Sequence, residues 1–418
     1  MHRHRGRPRA AGVLLACALA ALAGCGGSAE TTAASGGDPS ASAGAGSSTA
    51  AAAAPAAAAA PAVAPAPGSA PTPAQVKTVT VASGLVSPWG LAFLPDGRML
   101  VTEKEGRLRY VSATGQVSAA LSGVPAVSAN GQGGLLDVVL SPGFATDSTV
   151  YFSFAEPVAG GLARTAVARA RLGTTSISDV TVIFRQSPAT AAGNHFGSRL
   201  AFAPSGHLFV TLGERTDRDR AQELGNHLGK VVRLNADGSV PPDNPFVATT
   251  GALPEIWSYG HRNPQGAAIE PATGRLWTTE HGAQGGDEVN VPARGGNHGW
   301  PRITYSVDYG SGAPIGEGTS KPGIEPPLHY WVPVSIAPSG MAFYTGTAVP
   351  AWRGHLFVGA LAGKAVVRLT VSGAAVTAEE RLLTSLDERI RDVRMGPDGH
   401  LYLLTDSTNG RILRVQVE

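Results

Sequence analysis

Polar side chains that can bind anions or move protons recur at one place in a repeating sequence pattern. Each lies about eight to twelve residues before a glycine in a turn between two apolar segments. Taken singly, each could be a solvated residue near a strand end, but their common position favours a shared site. Guanidinium groups pair with carboxylates and imidazole titrates near neutrality, so such a site would bind a small polyanion beside a proton-transfer group. The residues concerned are Gln132, His195, Arg262, Asn263, Arg389 and Arg391.

The pattern that carries these residues is an apolar strand, a turn containing glycine and a second apolar strand. It occurs six times, with turn glycines roughly 45 to 80 residues apart. Each copy is a hairpin signal, and the spacing suits a four-stranded blade with insertions. The sequence therefore predicts an all-β, six-bladed β-propeller. The turn glycines are Gly97, Gly143, Gly206, Gly274, Gly354 and Gly399.

A propeller would bring these scattered positions to one rim, because equivalent positions in the blades lie near the central axis. The strand after each turn returns the chain to that rim, which adds Glu214 and the Glu280-His281-Gly282 loop to the predicted site. The segment 76–81 reads as a strand outside the six hairpins. We predict that it pairs with the C-terminal segment 412–417 and closes the ring.

The N-terminus has the features of a bacterial lipoprotein signal peptide. Residues 1–9 contain four arginines and no acid, and residues 11–22 form an apolar run too short for a transmembrane helix. The run ends in Leu-Ala-Gly-Cys, a lipobox-like pattern that places cleavage before Cys25. We therefore expect a signal peptide at 1–24 and a lipidated Cys25. The protein would be exported and lipid-anchored to a bacterial membrane, on the periplasmic or cell-surface face.

The segment 25–75 joins the lipidated cysteine to the predicted domain. It consists almost entirely of Ala, Pro, Gly, Ser and Thr, and we expect it to be a disordered linker. Removal of the signal peptide converts the formal net charge from +2 to −2, which gives no electrostatic footprint for nucleic acid. Of the two cysteines, Cys17 lies in the signal peptide and Cys25 would carry the lipid. Disulfides, thiol nucleophiles and zinc–thiolate sites are thereby excluded from the mature domain.

Six sequence blocks follow one another along residues 76–418. They are GQGGLLDVVLSPGF, GNHFGSRLAFAPSGHLFVTLGER, YGHRNPQG, EHGAQGGDEVNVPARGGNHGWP, IAPSGMAFY and RIRDVRMGPDGHLYLLTD. In this order they resemble the blocks of the soluble PQQ-dependent sugar dehydrogenases, and most closely the aldose sugar dehydrogenase branch of these glucose/sorbosone dehydrogenase-like propellers. The resemblance covers essentially the whole predicted domain. It implies oxidation of aldose sugars at the anomeric carbon to lactones, with hydride transfer to PQQ.

The resemblance also implies roles for individual residues. His195 would be the general base that takes the proton of the anomeric hydroxyl, and Glu214 would orient it where the glucose-type enzymes carry Asp. Gln132 would lie near substrate and cofactor. The family lysine that contacts PQQ aligns at or near Ala362, which leaves Lys364 as the nearest lysine. The carboxylates and carbonyl oxygens of PQQ would be held by Arg262, Asn263, Arg389 and Arg391.

Two calcium sites are implied in the same way. One Ca²⁺ would activate PQQ through the backbone carbonyls of Gly282 and Ala283, although the family often has Pro at the second position. A second, structural Ca²⁺ would use Glu288 and the carbonyl of His298, with Asp308 as a further candidate. Hard oxygen ligands suit Ca²⁺ rather than zinc. The alternative for Glu288 and its acidic neighbour is an ordinary loop.

Two other classes of propeller remain open at this point. A calcium-dependent lactonase would need acids and an Asn converging at the axis, whereas the predicted rim is basic and favours an anionic cofactor. A non-catalytic binding propeller is disfavoured by the intact His and Arg positions and favoured by the missing lysine. The expected partners are an aldose substrate, an unidentified electron acceptor, and a membrane reached through the N-terminal lipid only, with no nucleic acid.

Overall fold

Six antiparallel sheets of four strands each make up the part of the chain that the computed structural model describes, residues 75–418. The first strand of each sheet lies beside the first strands of two neighbouring sheets, so the six inner strands form a closed ring. The predicted all-β, six-bladed β-propeller is confirmed.

The blades are numbered in chain order, and the innermost strand is given first. Blade 1 contains β2 (Pro88–Phe93), β3 (Met99–Glu103), β4 (Arg107–Val111) and β5 (Val117–Ala120). Blade 2 contains β6 (Leu135–Leu140), β7 (Thr149–Val158), β8 (Leu162–Leu172) and β9 (Ile177–Arg185). Blade 3 contains β10 (Gly197–Phe202), β11 (Leu208–Leu212), β12 (Lys230–Leu234) and β13 (Ile256–Tyr259).

The remaining blades follow the same plan. Blade 4 contains β14 (Pro264–Ile269), β15 (Leu276–Glu280), β16 (Asp287–Asn290) and β17 (His329–Trp331). Blade 5 contains β18 (Pro338–Phe343), β19 (Leu356–Ala360), β20 (Ala365–Ser372) and β21 (Ala375–Leu382). Blade 6 contains β22 (Ile390–Met395), β23 (Leu401–Thr405), β24 (Gly410–Val417) and β1 (Val76–Leu85).

The ring is closed by the first strand of the domain, as predicted. Strand β1 pairs with β24 in antiparallel register, with Val76 opposite Val417 and Thr80 opposite Leu413. Blade 6 is therefore built from both ends of the described chain. This arrangement leaves no open edge between the first and last blades.

Short helices occur only as connections within residues 75–418. They are one helical turn, α1 (Phe144–Asp147), and three 3₁₀ turns at Arg218–Gln222, Pro350–Trp352 and Thr384–Leu386. None of these helices is long and apolar enough to cross a bilayer. The predicted signal peptide, Cys25 and linker lie outside the described residues and stay predictions.

The hydrophobic core lies between the blades. Apolar clusters are shared by each pair of neighbouring sheets; one of them joins Leu108 of blade 1 to Phe152 of blade 2. Because each face of a sheet is covered by a neighbouring sheet, the inner strands are buried along most of their length. Gly206 and Gly399, in two of the predicted turns, have φ angles of 85° and 80°, which residues with a β-carbon rarely adopt.

The third residue of each inner strand faces the crowded axis. In chain order these residues are Gly90, Asp137, Arg199, Gly266, Gly340 and Asp392. Gly90 and Gly340 leave room for charged side chains of neighbouring inner strands, whereas a β-carbon at Gly266 would overlap Thr279 Oγ1 and the Ser339 carbonyl. A β-carbon at Gly340 would overlap Asp392 Oδ1, and one at Gly90 would lie 2.9 Å from Asp137 Oδ1.

Two arginines and two aspartates form a closed network at this level, called the axial tetrad here. Arg199 lies 3.1 Å from Asp137 and 3.0 Å from Asp392, and Arg394 lies 2.6 Å from Asp137 and 2.8 Å from Asp392. Arg199 and both aspartates are at most 1 % exposed. The two carboxylates outweigh the effect of burial and raise the pKa of Arg394. The tetrad forms a floor beneath the rim, where Arg199 donates to the backbone carbonyls of Gln265 and Arg391.

Candidate active site

A histidine and a glutamate form the centre of the site. His195 precedes β10 and Glu214 follows β11, so both lie on the same rim of blade 3. His195 Nδ1 is 2.7 Å from Glu214 Oε2, and that oxygen also accepts a 2.5 Å hydrogen bond from the backbone N–H of Thr216. Because an ionised carboxylate only accepts hydrogen bonds, Nδ1 carries the proton and Nε2 keeps its lone pair. The imidazole is thus held in the tautomer that can act as a base.

The loop that carries His195 is fixed by a buried arginine. Arg215 donates to the carbonyls of Ala163, at 3.0 Å, Asn194, at 2.8 Å, and Ala192, and its guanidinium lies over the Phe196 ring. Burial lowers the pKa of Arg215 to about 10. His195 itself has a φ of 56°, which is costly for a residue with a β-carbon and is maintained by these contacts.

Amide side chains extend the site from blade 3 to its neighbours. Gln132 Oε1 accepts the backbone N–H of His195 at 2.8 Å, and the amides of Asn263 and Gln265 approach the same oxygen at 3.4 and 3.5 Å. Asn263 Oδ1 in turn accepts the N–H of Gly197 at 3.2 Å. The structure therefore brings Gln132, His195 and Asn263 together, from three different blades.

Blade 6 contributes two arginines that share one carboxylate. Arg391 donates to Gln265 Oε1 at 2.8 Å and to Asp406 at 3.1 Å, and Arg389 donates to Asp406 at 2.8 Å. Arg391 is buried and its pKa is lowered by burial, whereas Arg389 is half-exposed at the mouth. The two guanidiniums outweigh the effect of burial and lower the pKa of Asp406. With two cations on one anion, this wall has a positive charge in excess.

Arg262 lies on blade 4, just before its inner strand β14. Its guanidinium donates to the carbonyls of His281, at 3.2 Å, and Gly282, and lies 5.2 Å from the Trp300 ring centre. Within residues 75–418, Arg262 Nε and Trp300 Nε1 are buried donors with no acceptor. His281 Nε2 is 2.7 Å from the carbonyl of Pro338, and burial next to Arg262 lowers the pKa of His281 to about 3, so this imidazole is neutral.

The loop implied to hold the first calcium ion runs beside Arg262. Gly282 N–H donates to Asp287 at 2.9 Å and Ala283 N–H donates to Ser306 at 3.0 Å, so both backbone carbonyls belong to a fixed turn. The Gly282 carbonyl accepts a hydrogen bond from Arg262. A cation at this carbonyl would compete with the guanidinium.

Glu288 and His298, implied to form the second calcium site, lie together behind this loop. Both line a cavity of about 290 Å³. Burial, and after it the negative charge of Glu280, raise the pKa of Glu288 to about 8. Burial, and after it the neighbouring His261, lower the pKa of His298. Among the described residues, Asn290 Oδ1 and both ring nitrogens of His298 are buried without a hydrogen-bond partner.

Two of the predicted residues lie apart from these groups. Asp308 lies in a turn where Ser311 donates to it at 3.0 Å, and it lines a different cavity from Glu288 and His298. Lys364 forms a half-exposed ion pair with Asp387 at 2.9 Å, beyond the arginines of blade 6. The part of the chain described by the structure contains no group of three His, Cys, Asp or Glu side chains gathered as a metal site.

Some residues of the site were not predicted from the sequence. Gln265 links Arg391 to Gln132, Asp406 bridges Arg389 and Arg391, and Trp300 lies against Arg262. A signal for Asp406 exists, because it follows the second strand of its blade as Glu214 does. Applied to every blade, the rule that found Glu214 would also have found Asp406 and Lys104, the residue after β3.

Comparison with known proteins gives this geometry a context. Residues 85–414 match the family model described as glucose/sorbosone dehydrogenase. The chain is similar to the aldose sugar dehydrogenase YliI of Escherichia coli (strain K12), with 49 % identity over 332 residues, which cover 78 % of this chain and 89 % of the relative.

Solved structures agree with that match. The apo-form of the soluble aldose sugar dehydrogenase of Escherichia coli superimposes with a TM-score of 0.80 at 47 % identity, over 82 % of this chain and 100 % of the other. The PQQ-bound form of the aldose sugar dehydrogenase of Streptomyces coelicolor gives a TM-score of 0.70 at 32 % identity, over 83 % and 99 %.

Proposed function

Because the chain belongs to the glucose/sorbosone dehydrogenase family, we propose that it oxidises aldose sugars at the anomeric carbon to lactones, with PQQ as oxidant and Ca²⁺ as activating ion. The family is one of oxidoreductases, and the resemblance noted in the sequence is confirmed. The cofactor, the ion and the roles of individual residues belong to the proposal.

The observation that carries the proposal is an excess of cations with unused hydrogen-bond donors on one rim of the ring. Arg389 and Arg391 share the single carboxylate of Asp406, and the guanidinium of Arg262 on blade 4 is hydrogen-bonded only to backbone carbonyls. Arg262 Nε and Trp300 Nε1 have no acceptor among the described residues. A tricarboxylate quinone with carbonyl oxygens fits such a donor set, since burying uncompensated guanidiniums is costly. Asn263, next to Arg262, would bind the same molecule.

The residues implied for calcium also fit the ion in chemical type. Glu288 and Asn290 supply oxygen atoms to the buried wall behind the 282–283 loop, and the Asn290 oxygen has no donor within residues 75–418. Hard oxygen atoms are the ligands that Ca²⁺ prefers. Arg262 Nη1 donates to the Gly282 carbonyl, so this donor would be available to the cofactor if that carbonyl held the ion instead.

His195 and Glu214 supply the acid–base chemistry. When bound, the quinone would accept the hydride of the sugar. His195 Nε2 would take the proton of the anomeric hydroxyl, and the Glu214 carboxylate would stabilise the imidazolium through Nδ1, which is already 2.7 Å away. Gln132 holds the backbone of His195 and leaves its own amide N–H₂ group for the substrate.

Reconstitution of the apo-protein tests this function. We expect aldose-dependent reduction of an artificial electron-acceptor dye only when PQQ, Ca²⁺ and D-glucose or another aldose are all present. Omission of any one should reduce the rate to background. Hydrolysis of a sugar lactone without PQQ would instead identify a lactonase, and PQQ binding without turnover for any aldose would identify a binding propeller.

The proposed membrane anchor has its own test. We propose that Cys25 is lipidated after cleavage of residues 1–24, because a basic segment, an apolar run and a lipobox-like tetrapeptide precede it. Expression in a bacterium fed a labelled fatty acid should label the wild-type protein and place it in the membrane fraction. The Cys25→Ser variant should be unlabelled. A labelled Cys25→Ser protein, or an unlabelled wild-type protein, would contradict the anchor.

A further inference from the structure

A lysine on blade 1 lies at the edge of the proposed cofactor pocket. Lys104 follows β3 directly, as Asp406 follows β23 in blade 6, on the rim that also carries Glu214 of blade 3. Its backbone is clamped on both sides: its N–H donates to Ser87 at 3.1 Å, and its carbonyl accepts the N–H of Leu135 at 3.0 Å. The side chain therefore starts from a fixed position between blades 1 and 2.

The ammonium group of Lys104 points to the loop that holds Gln132. Nζ donates a 2.8 Å hydrogen bond to the carbonyl of Gly131, the residue before Gln132. This is the only hydrogen bond of the group within residues 75–418. An ammonium has three donors and no acceptor, so two donors remain free.

Lys104 is distinguished from the other lysines by its partners. Lys77, Lys321 and Lys364 each form an exposed ion pair, at 2.5, 2.6 and 2.9 Å, and Lys230 is enclosed by three backbone carbonyls. In the described part of the chain, Lys104 has no ion pair at all. The nearby Asp406 is already bonded to two arginines, and Glu105 is bonded to Arg107 at 3.2 Å.

The charges around Lys104 belong to the pocket. Burial, and after it the positive charge of Arg391, lower the pKa of Lys104, while Asp406 and Glu105 oppose this shift. Three cations therefore lie around the Asp406 carboxylate, which already accepts hydrogen bonds from two of them, Arg389 and Arg391; the third is Lys104. A bound anion would compensate the excess positive charge of these three side chains.

We propose that Lys104 is a further cofactor-binding residue, which donates to a carboxylate of the bound tricarboxylate quinone together with Arg389 and Arg391. The inference rests on the proposed function. It assigns the lysine contact to blade 1, whereas alignment with the family points to Lys364 on blade 5. Lys364 already has Asp387 as its partner.

Equilibrium binding of PQQ to the apo-protein tests this assignment without recourse to turnover. Quenching of tryptophan fluorescence is a suitable signal, because Trp89 and Trp300 lie beside Arg391 and Arg262. Loss of one charge-assisted hydrogen bond should raise the Kd of Lys104→Met about ten- to hundredfold. Lys104→Arg should retain most of the affinity. The matched control is Lys77→Met, which removes an exposed lysine far from the rim and should bind as wild type.

The outcomes separate this inference from the function on which it rests. Failure of the wild-type protein to bind PQQ would overturn the proposed function and Lys104 with it. Wild-type binding with an unchanged Kd in Lys104→Met would overturn the assignment alone, and so would a loss seen in Lys364→Met but not in Lys104→Met. An unaltered thermal unfolding midpoint of Lys104→Met without PQQ would show that the loss of affinity is local.

Discussion

Replacement of His195 by alanine is expected to lower kcat for aldose oxidation by about 10² to 10⁴-fold and to leave PQQ binding nearly unchanged. The reason is that Glu214 holds Nδ1 at 2.7 Å and thereby leaves Nε2 as the free base. Alanine removes this base and leaves Arg262 and Arg391, which carry the proposed cofactor contacts, in place. Dye-reduction kinetics and PQQ titration on the same preparation measure the two effects separately.

The matched control for this variant is His207→Ala. His207 lies in the turn after β10, and within residues 75–418 the only hydrogen-bond partner of its side chain is Ser205, at 2.9 Å. Its removal should leave kcat at the wild-type value. Retention of more than a tenth of the wild-type kcat in His195→Ala would show that another group takes the proton.

The second large effect is expected on stability. Asp392→Ala should lower the free energy of unfolding by about 3 to 5 kcal/mol, because it leaves Arg199 and Arg394 with one shared carboxylate in a buried site. Asp392 Oδ2 also accepts the N–H of Leu91 at 3.3 Å, so a contact between blades 6 and 1 is lost as well. The shift of the denaturant midpoint, with the slope held constant, measures the effect.

An exposed ion pair provides the comparison. Glu317→Gln removes the partner of Lys321, with both side chains 52 % exposed, and should change stability by less than about 1 kcal/mol. An Asp392→Ala variant as stable as Glu317→Gln would show that the axial tetrad contributes little to the free energy of folding. Arg199 also donates to the backbone carbonyls of Gln265 and Arg391, at 2.7 and 3.0 Å, so loss of the tetrad should loosen the pocket floor too.

The propeller could be predicted from the sequence because its determinants are local and repeated. The alternation of apolar residues and the turns at Gly206 and Gly399 reflect strand geometry and positive φ angles, which recur in each blade. The pairing of β1 with β24 followed from an unpaired strand at each end of the domain. The shared rim followed from the same repeat, which is why His195 and Glu214 were placed together.

The axial tetrad could not be predicted in this way. At the third position of the inner strands, one blade supplies Asp137 and others supply Gly90 or Gly340, so no single residue type repeats. What recurs is a pairing between blades, in which a glycine on one inner strand makes room for a charged side chain on another. Such a pattern becomes visible only when the six strands are placed in a ring.

Long insertions also escaped prediction. Asp308 belongs to the segment between β16 and β17, whose path depends on its own turns and not on the blade repeat. Asp308, which the family resemblance implies as a further candidate calcium ligand, lines a different cavity from Glu288, and its role stays a prediction. Lys104 was missed for another reason, because the rule of residues following the second strand was applied only to blades 3 and 4.

A crystal structure of the complex with PQQ and Ca²⁺ tests the central claim most directly, since the claim is that residues of several blades bind one anion on one axis. We expect the quinone between Arg262 on one side and Arg389, Arg391 and Lys104 on the other, with His195 Nε2 open to a sugar above it. A quinone bound elsewhere on the protein, or one that contacts none of these cations, would contradict the account.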